Sequence, residues 1–179
     1  MRKINVIDLD KTLLPYDSFR ILIKNEIFKL NLKIVFYSIC RVFRLYSGDL
    51  YKQKVISSLL RKYSDSFYKE FALNLYKDLD EKVLLKVQQE TKENTLNILL
   101  SASPNAYVKH LIEKLGWIGS GSYFDENSNF IHLHGKGKIL WLEENFNIKS
   151  FNYNLAISDS PSDYNLLNQF NKSIKWISA

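Results

Sequence analysis

The stretch KINVIDLDKTLLPYDSF, residues 3–19, decides the fold: a β-branched apolar run from Lys3 to Leu9 ends in two acids one residue apart, Asp8 and Asp10. The run reads as a buried strand, because β-branched and other apolar residues dominate it. A buried strand does not end in paired carboxylates without cause. Two such groups repel and raise each other's proton affinity, unless a cation lies between them or they divide into a nucleophile and an acid.

The same punctuation recurs twice downstream. TLNILLSAS (95–103) is a short apolar run ending in hydroxyls, and YNLAISDSPSD (153–163) is another ending in acids. Helical stretches lie between them: EKVLLKVQQETKEN (81–94), a segment from Pro104 to Leu115 closed by Gly116, and another from about Lys138 to Asn145. GSYFDENSNFIHLHG (121–135) reads as a small hairpin, and the short helix SDYNLLNQF (162–170) and the apolar run SIKWIS (173–178) end the chain. Strand alternating with helix predicts an α/β fold, a Rossmann-like parallel sheet with helices on both faces. Ligands of such sheets bind beyond the carboxyl ends of the strands. DLDKT, SAS and SDSPSD are therefore expected along one edge.

Residues 15–80 differ: no strand is evident, and helical stretches break near Asn31 and near Ser47 and Gly48, with Ser47, Asp49 and Ser64 as helix starters. The expected organisation is a catalytic core of 1–14 and 81–179, with an all-helical insertion at 15–80. The insertion holds twelve Lys and Arg against seven Asp and Glu, so it carries five of the chain's six net positive charges.

Composition narrows the function classes. With 46% hydrophobic and 25% charged residues, the 179-residue chain is built to fold around a core. A single cysteine, Cys40, excludes an internal disulfide and a Cys-based zinc site, and it fits a buried thiol in a reducing compartment. The sequence lacks the apolar centre of a secretory leader near Met1, and the expected location is the cytoplasm. In the most apolar segment the longest uncharged run is the seven residues from Ile34 to Cys40, far short of the roughly 20 that a spanning helix needs. Basic residues interleaved with Tyr and Phe can bind single-stranded nucleic acid, but no binding motif accompanies them and no nucleic-acid partner is expected. His132 and His134 stand at strand spacing without a third ligand nearby, and read as loop histidines, as His110 reads as a helix-surface residue.

Asp8, Asp10, Asp159 and Asp163 form an all-oxygen donor set, which suits Mg²⁺ better than zinc. At these residues the sequence resembles the haloacid dehalogenase superfamily of phosphohydrolases. DLDKT matches its DxDxT motif, LLSAS its second motif, GKGKIL its lysine motif, and SDSPSD its acidic GDSxxD-like loop. The resemblance implies that Asp8 attacks phosphorus and forms an aspartyl phosphate, while Asp10 serves as general acid and then base. It implies that Ser101 hydrogen-bonds the phosphoryl oxygens and that a lysine neutralises their charge; Lys136 and Lys138 are both candidates, and the Lys-Gly-x-Ile-Leu context favours Lys136. Mg²⁺ would be held by Asp8, the Asp10 carbonyl and Asp159, with Asp163 supporting the loop directly or through water. Two positions depart from the pattern: Lys11 stands where Gly is frequent, and Ser158 replaces the Gly before the acidic loop.

The insertion resembles the helical cap of the phosphoserine phosphatase branch, and DLDKTLLPYDSF and SDSPSDYNLL are similar to the phosphatidylglycerophosphatase C type. The implied activity is phosphomonoester hydrolysis, on a small phosphometabolite or a lipid phosphate such as phosphatidylglycerophosphate. The basic, apolar insertion is compatible with peripheral contact at the inner face of an anionic membrane, or with a helical hairpin buried on its own core. A phosphotransferase, or a non-catalytic phosphate-binding or regulatory module of the same fold, would carry the same motifs.

Overall fold

The computed structural model describes residues 2–146 and 151–176. Its centre is β1 (Arg2–Ile7), which pairs in parallel with β2 (Thr95–Pro104) on one side and β5 (Phe151–Ser158) on the other. The sheet runs β4-β3-β2-β1-β5-β6, with β3 at Ile118–Phe124, β4 at Phe130–Ile131 and β6 at Lys172–Lys175. Among the described residues only the β3–β4 pair, the expected hairpin, is antiparallel. This is the α/β Rossmann-like arrangement that the strand–helix alternation predicts. Of the last apolar run, Ile177 and Ser178 lie outside the described residues.

Between β1 and the core helix α5 (Glu81–Glu90) stand four helices: α1 (Ser18–Phe28), α2 (Leu32–Val42), α3 (Gly48–Lys62) and α4 (Asp65–Lys77). Their starts follow local chemistry. Asp17 accepts a hydrogen bond from the Arg20 N–H, Ser47 from that of Leu50, and Asp80 from those of Lys82 and Val83, each relieving backbone donors that a helix's first turn leaves unpaired. Helices α6 (Asn105–Leu115), α7 (Lys136–Asn145) and the single turn α8 (Tyr164–Leu167) complete the chain, with Gly116 ending α6 in the left-handed conformation.

Strand periodicity divides the apolar residues between two faces. Ile4 and Val6 of β1 join Ile98, Leu100, Leu142 and Ala156 beneath α7 and α8. Ile7 joins Leu99 and Ile157 on the other face, where the core continues without interruption into Leu22 of α1, Leu59 of α3, Leu75 of α4 and Leu111 of α6. The four helices thus share one apolar core with the sheet. Helix α4 lies directly on α6, with Phe71 against the Tyr107 ring and Asp65 bridging Lys109 and His110.

Register positions the site. Ile7 is paired with Leu99 on β2 and Ile157 on β5. The residues that follow each of the three, namely Asp8 and Asp10, Ser101 to Ser103, and Asp159, therefore emerge at the same end of the sheet.

Candidate active site

A cavity of about 620 Å³ opens at that end, with Asp8, Asp10, Ser103, Lys138, Asp159 and Asp163 among its lining residues. Its wall opposite the sheet is built from α1, α2 and α3, which contribute Phe19, Arg20, Arg41 and Lys52. Asp8 continues the β1 ladder, its N–H donating to the Ile157 carbonyl at 3.0 Å. The backbone then turns, and Thr12 reaches across to the β5 end: its hydroxyl accepts from the Asp159 N–H at 2.9 Å and lies 3.4 Å from the Asp159 carboxylate. The threonine of DLDKT is a brace between two loops.

The lysine beside Asp8 is Lys138, which corrects the expectation for Lys136. Lys138 Nζ donates to Asp8 Oδ1 at 2.6 Å and to Asp163 Oδ2 at 2.5 Å, and it is buried, whereas Lys136 is exposed. The two lysines sit about 200° apart around a helix, so one facing the site turns the other away. Lys138 shares its face with buried Leu142, one turn on, and Lys136 shares its face with exposed Leu140. Both lysines have a Leu four residues on, so the sequence alone does not separate them. Gly137 seats the first turn of α7, since a Cβ there would stand 2.1 Å from the His132 carbonyl oxygen.

Asp10 is gripped from two elements. Its Oδ1 accepts from the Ser18 N–H at 2.7 Å and the Ser18 hydroxyl at 2.6 Å, and its Oδ2 accepts from the Ser103 hydroxyl at 2.5 Å. Tyr107 lies behind, its hydroxyl 2.8 Å from that of Ser18. Sequence reasoning had no role for Ser18 or Ser103, although Ser103 stands in the same SAS cluster. Ser101 is completely buried, with its Oγ accepting from the Ser103 N–H at 3.0 Å, and Ala102 and Ser103 are the residues of this cluster that line the cavity.

Ser158 is another brace. Its hydroxyl donates to Asp163 Oδ2 at 2.7 Å and accepts from the Ser160 N–H at 3.1 Å, work that glycine cannot do. Asp163, committed to Lys138 and Ser158, holds the lysine in place. Lys11 does stand where the backbone favours glycine, with φ of 57°. Lys52 reaches in from α3 to the Ala102 carbonyl at 3.1 Å, and burial pushes its proton affinity down against the pull of Asp10 and Asp17.

The electrostatics leave the floor of the cavity short of positive charge, while Arg20, Lys24, Arg41 and Lys52 line its helical wall. One ammonium, Lys138, lies between two buried carboxylates. Burial pushes the Asp8 carboxyl up to about 7, with Lys138 opposing and the Asp163 charge adding to the rise. Burial also raises Asp10, against hydrogen bonds from Ser103 and Ser18, and raises Asp159, against Lys11 and Thr12. Among the described residues no three His, Cys, Asp or Glu side chains form a metal cluster by themselves. The cavity is lined by two under-neutralised carboxylates, Asp8 and Asp159. This hard-oxygen, net-negative set fits a divalent cation of the Mg²⁺ kind, which takes few protein ligands and keeps its waters.

The haloacid dehalogenase-like hydrolase family profile matches residues 6–168. The chain belongs to that family. Its fold is shared with a Bordetella pertussis Tohama I protein of unknown function (TM-score 0.72, 16% identity, covering 97% of this chain and 89% of that one). It is also shared with a phosphoserine phosphatase solved as a phospho-aspartyl intermediate analogue (TM-score 0.59, 14% identity, 98% and 94% covered) and with a phosphoserine phosphohydrolase-like protein from Francisella tularensis (TM-score 0.55, 13% identity, 98% and 95% covered). No curated protein sequence matches the chain significantly.

Proposed function

We propose that this hydrolase is a phosphomonoesterase working through an aspartyl phosphate on Asp8. The observation that carries the reading is the Asp8 carboxylate at the carboxyl end of the central strand. It is oriented by Lys138 through Oδ1 and faces a cavity that it shares with Asp10 and Asp159. Asp8 attacks phosphorus, and the bond from phosphorus to the ester oxygen breaks as the new Asp8–phosphorus bond forms. Asp10, whose burial favours the protonated acid, gives its proton to the departing alkoxide. Water then attacks the aspartyl phosphate, Asp10 takes that water's proton, and inorganic phosphate leaves with Asp8 restored.

Lys138 lowers the charge density between nucleophile and phosphoryl group, and Asp163 and Ser158 fix its position. Ser103 is the hydroxyl of this cluster that lines the cavity and it orients Asp10, while Ser101, expected to bind the phosphoryl oxygens, is buried behind it and fixes the Ser103 backbone. Asp8, the Asp10 carbonyl and Asp159 would hold Mg²⁺, which supplies charge neutralisation for the phosphoryl oxygens. The 15–80 segment acts as the cap: α1 sets Asp10 through Ser18, and α1 to α3 roof the cavity and exclude water from phosphoryl transfer. The leaving-group side of the cavity combines Arg20, Lys24 and Arg41 with Phe19, Ile23 and Val42. That lining suits an organic phosphate whose alcohol carries both apolar surface and further negative charge.

The test is hydrolysis of p-nitrophenyl phosphate with Mg²⁺ or with chelator, by the native chain and by Asp159→Asn. Mg²⁺-dependent turnover that Asp159→Asn abolishes supports the reading. Turnover indifferent to both overturns the metal assignment, and no phosphate release from any phosphomonoester overturns the activity.

A further inference from the structure

Among the described residues sixteen large hydrophobic side chains are exposed, and nine of them fall between Ile27 and Leu45. Helix α2 explains the concentration. Ile34 and Cys40 are buried on one side of it, but Leu32, Phe36, Ile39 and Phe43, spaced four, three and four residues apart, form a second apolar stripe that faces water. Phe28 and Leu30 extend the surface at one end, 84% and 78% exposed, and Leu45 extends it at the other. Exposed apolar surface gathered in this way marks an interaction site.

The charge around it selects the partner. Between Ser18 and Ser47 the chain carries six cations, Arg20, Lys24, Lys29, Lys33, Arg41 and Arg44, and one acid, Glu26. That acid is completely buried and bonded to Lys62, so this stretch exposes cations and no carboxylate of its own; the flanking Asp17 and Asp49 bond the Arg20 N–H and His132. Apolar side chains ringed by Lys and Arg match an anionic phospholipid surface, where the apolar groups enter the acyl boundary and the cations meet headgroups. Among the described residues no helix is long and apolar enough to cross a membrane. The cavity reaches this surface: Ile27 and Val42 belong both to its lining and to the exposed patch, and Arg20, Lys24 and Arg41 line the same cavity as Asp8.

We infer that the α1–α2 hairpin docks on an anionic bilayer with the cavity mouth at the interface, so that the phosphomonoester is drawn from the lipid phase. The inference rests on the phosphatase reading for its substrate, while docking itself is independent of catalysis. The test uses the full chain with vesicles of phosphatidylcholine alone or mixed with phosphatidylglycerol. It compares the native protein with Phe36→Ser/Phe43→Ser and Lys33→Glu/Arg44→Glu, none of which alters a cavity-lining residue. Co-sedimentation with the mixed vesicles is expected to exceed that with neutral ones at least about tenfold, and each variant is expected to lose about tenfold or more of it. All three proteins should hydrolyse p-nitrophenyl phosphate equally, while the variants lose hydrolysis of a phosphomonoester lipid carried in the vesicles.

No sedimentation with anionic vesicles, or equal sedimentation with neutral ones, overturns the docking. So does a dimer by light scattering that Phe36→Ser/Phe43→Ser dissociates, since the face would then belong to a second copy. Vesicle binding without hydrolysis of any phosphomonoester overturns the phosphatase reading and leaves the docking standing.

Discussion

Lys138 Nζ bridges Asp8 Oδ1 at 2.6 Å and Asp163 Oδ2 at 2.5 Å, tying the first turn of α7 to the ends of both β1 and β5. Removing it leaves two buried carboxylates facing each other and removes the cation beside the attacking oxygen. Lys138→Ala should lower kcat by about 10²–10³-fold and lower stability by roughly 3–5 kcal/mol, read by steady-state hydrolysis and urea unfolding. Lys136→Ala should leave both nearly unchanged. The reverse ranking would assign the role to Lys136.

The Asp8 carboxyl, raised by burial to about 7, has a sign opposite to that of most acids in folded proteins. An unfolded Asp titrates near ~3.9. Between about pH 4 and pH 7 the folded, metal-free chain therefore holds a proton that the unfolded chain has lost, and this group's contribution to stability falls as pH rises through that window. In chelator, the Tm of the native chain measured against Asp8→Asn should drop from pH 5 to pH 8, and Mg²⁺ should restore it at pH 8. A difference that is flat in pH, or that rises with it, would contradict the electrostatic account.

Glu26 is the hub of the helical segment, completely buried and bonded by Lys62 at 2.6 Å, by Asn31 at 2.6 Å and by the Tyr63 hydroxyl. Burial pushes its carboxyl up, but the hydrogen bonds from Lys62, Tyr63 and Asn31 outweigh it and hold the carboxyl below the usual range. Its stabilisation is thus present above the unfolded Glu pKa of about 4.3 and is lost as pH falls through the lower folded value. Glu26→Ala should cost about 1–3 kcal/mol at pH 7, a difference that urea titration should find shrinking toward pH 3.

Gly137 and Gly48 both lie in the first turn of a helix and should respond differently to a methyl group. A Cβ at Gly137 meets the His132 carbonyl oxygen at 2.1 Å, whereas at Gly48 the nearest atom is the Arg41 guanidinium at 3.9 Å. Gly137→Ala should destabilise by about 1–3 kcal/mol and reduce turnover by shifting Lys138. Gly48→Ala should change neither by more than a small margin, as thermal melts and p-nitrophenyl phosphate assays would show.

The sheet and its edge were legible because each strand is an apolar run broken by polar chemistry: Ile7 before Asp8, Leu100 before Ser101, Ser158 before Asp159. The helix starts at Ser47 and Ser64 were legible from capping residues. What lay beyond reach depended on tertiary partners. Periodicity shows that α4 has an apolar face, but not that the face lies on α6 and merges the helical segment with the sheet core. Lys136 and Lys138 have similar neighbours in sequence, and only the burial of Leu142 against the sheet decides which one turns inward. Ser158 looked like a loss of glycine and is a hydrogen-bond donor to Asp163. Ser18 and Ser103 are ordinary residues in sequence and become the holders of Asp10 only where α1 crosses the end of β2.

The most direct measurement of the central claim is the rate of p-nitrophenyl phosphate hydrolysis in Mg²⁺ by Asp8→Asn, purified beside the native chain and checked for an intact fold by circular dichroism. Loss of about a thousandfold or more is predicted, because the amide cannot form the aspartyl phosphate. A folded Asp8→Asn chain that turns over within about tenfold of native would contradict Asp8 as the nucleophile.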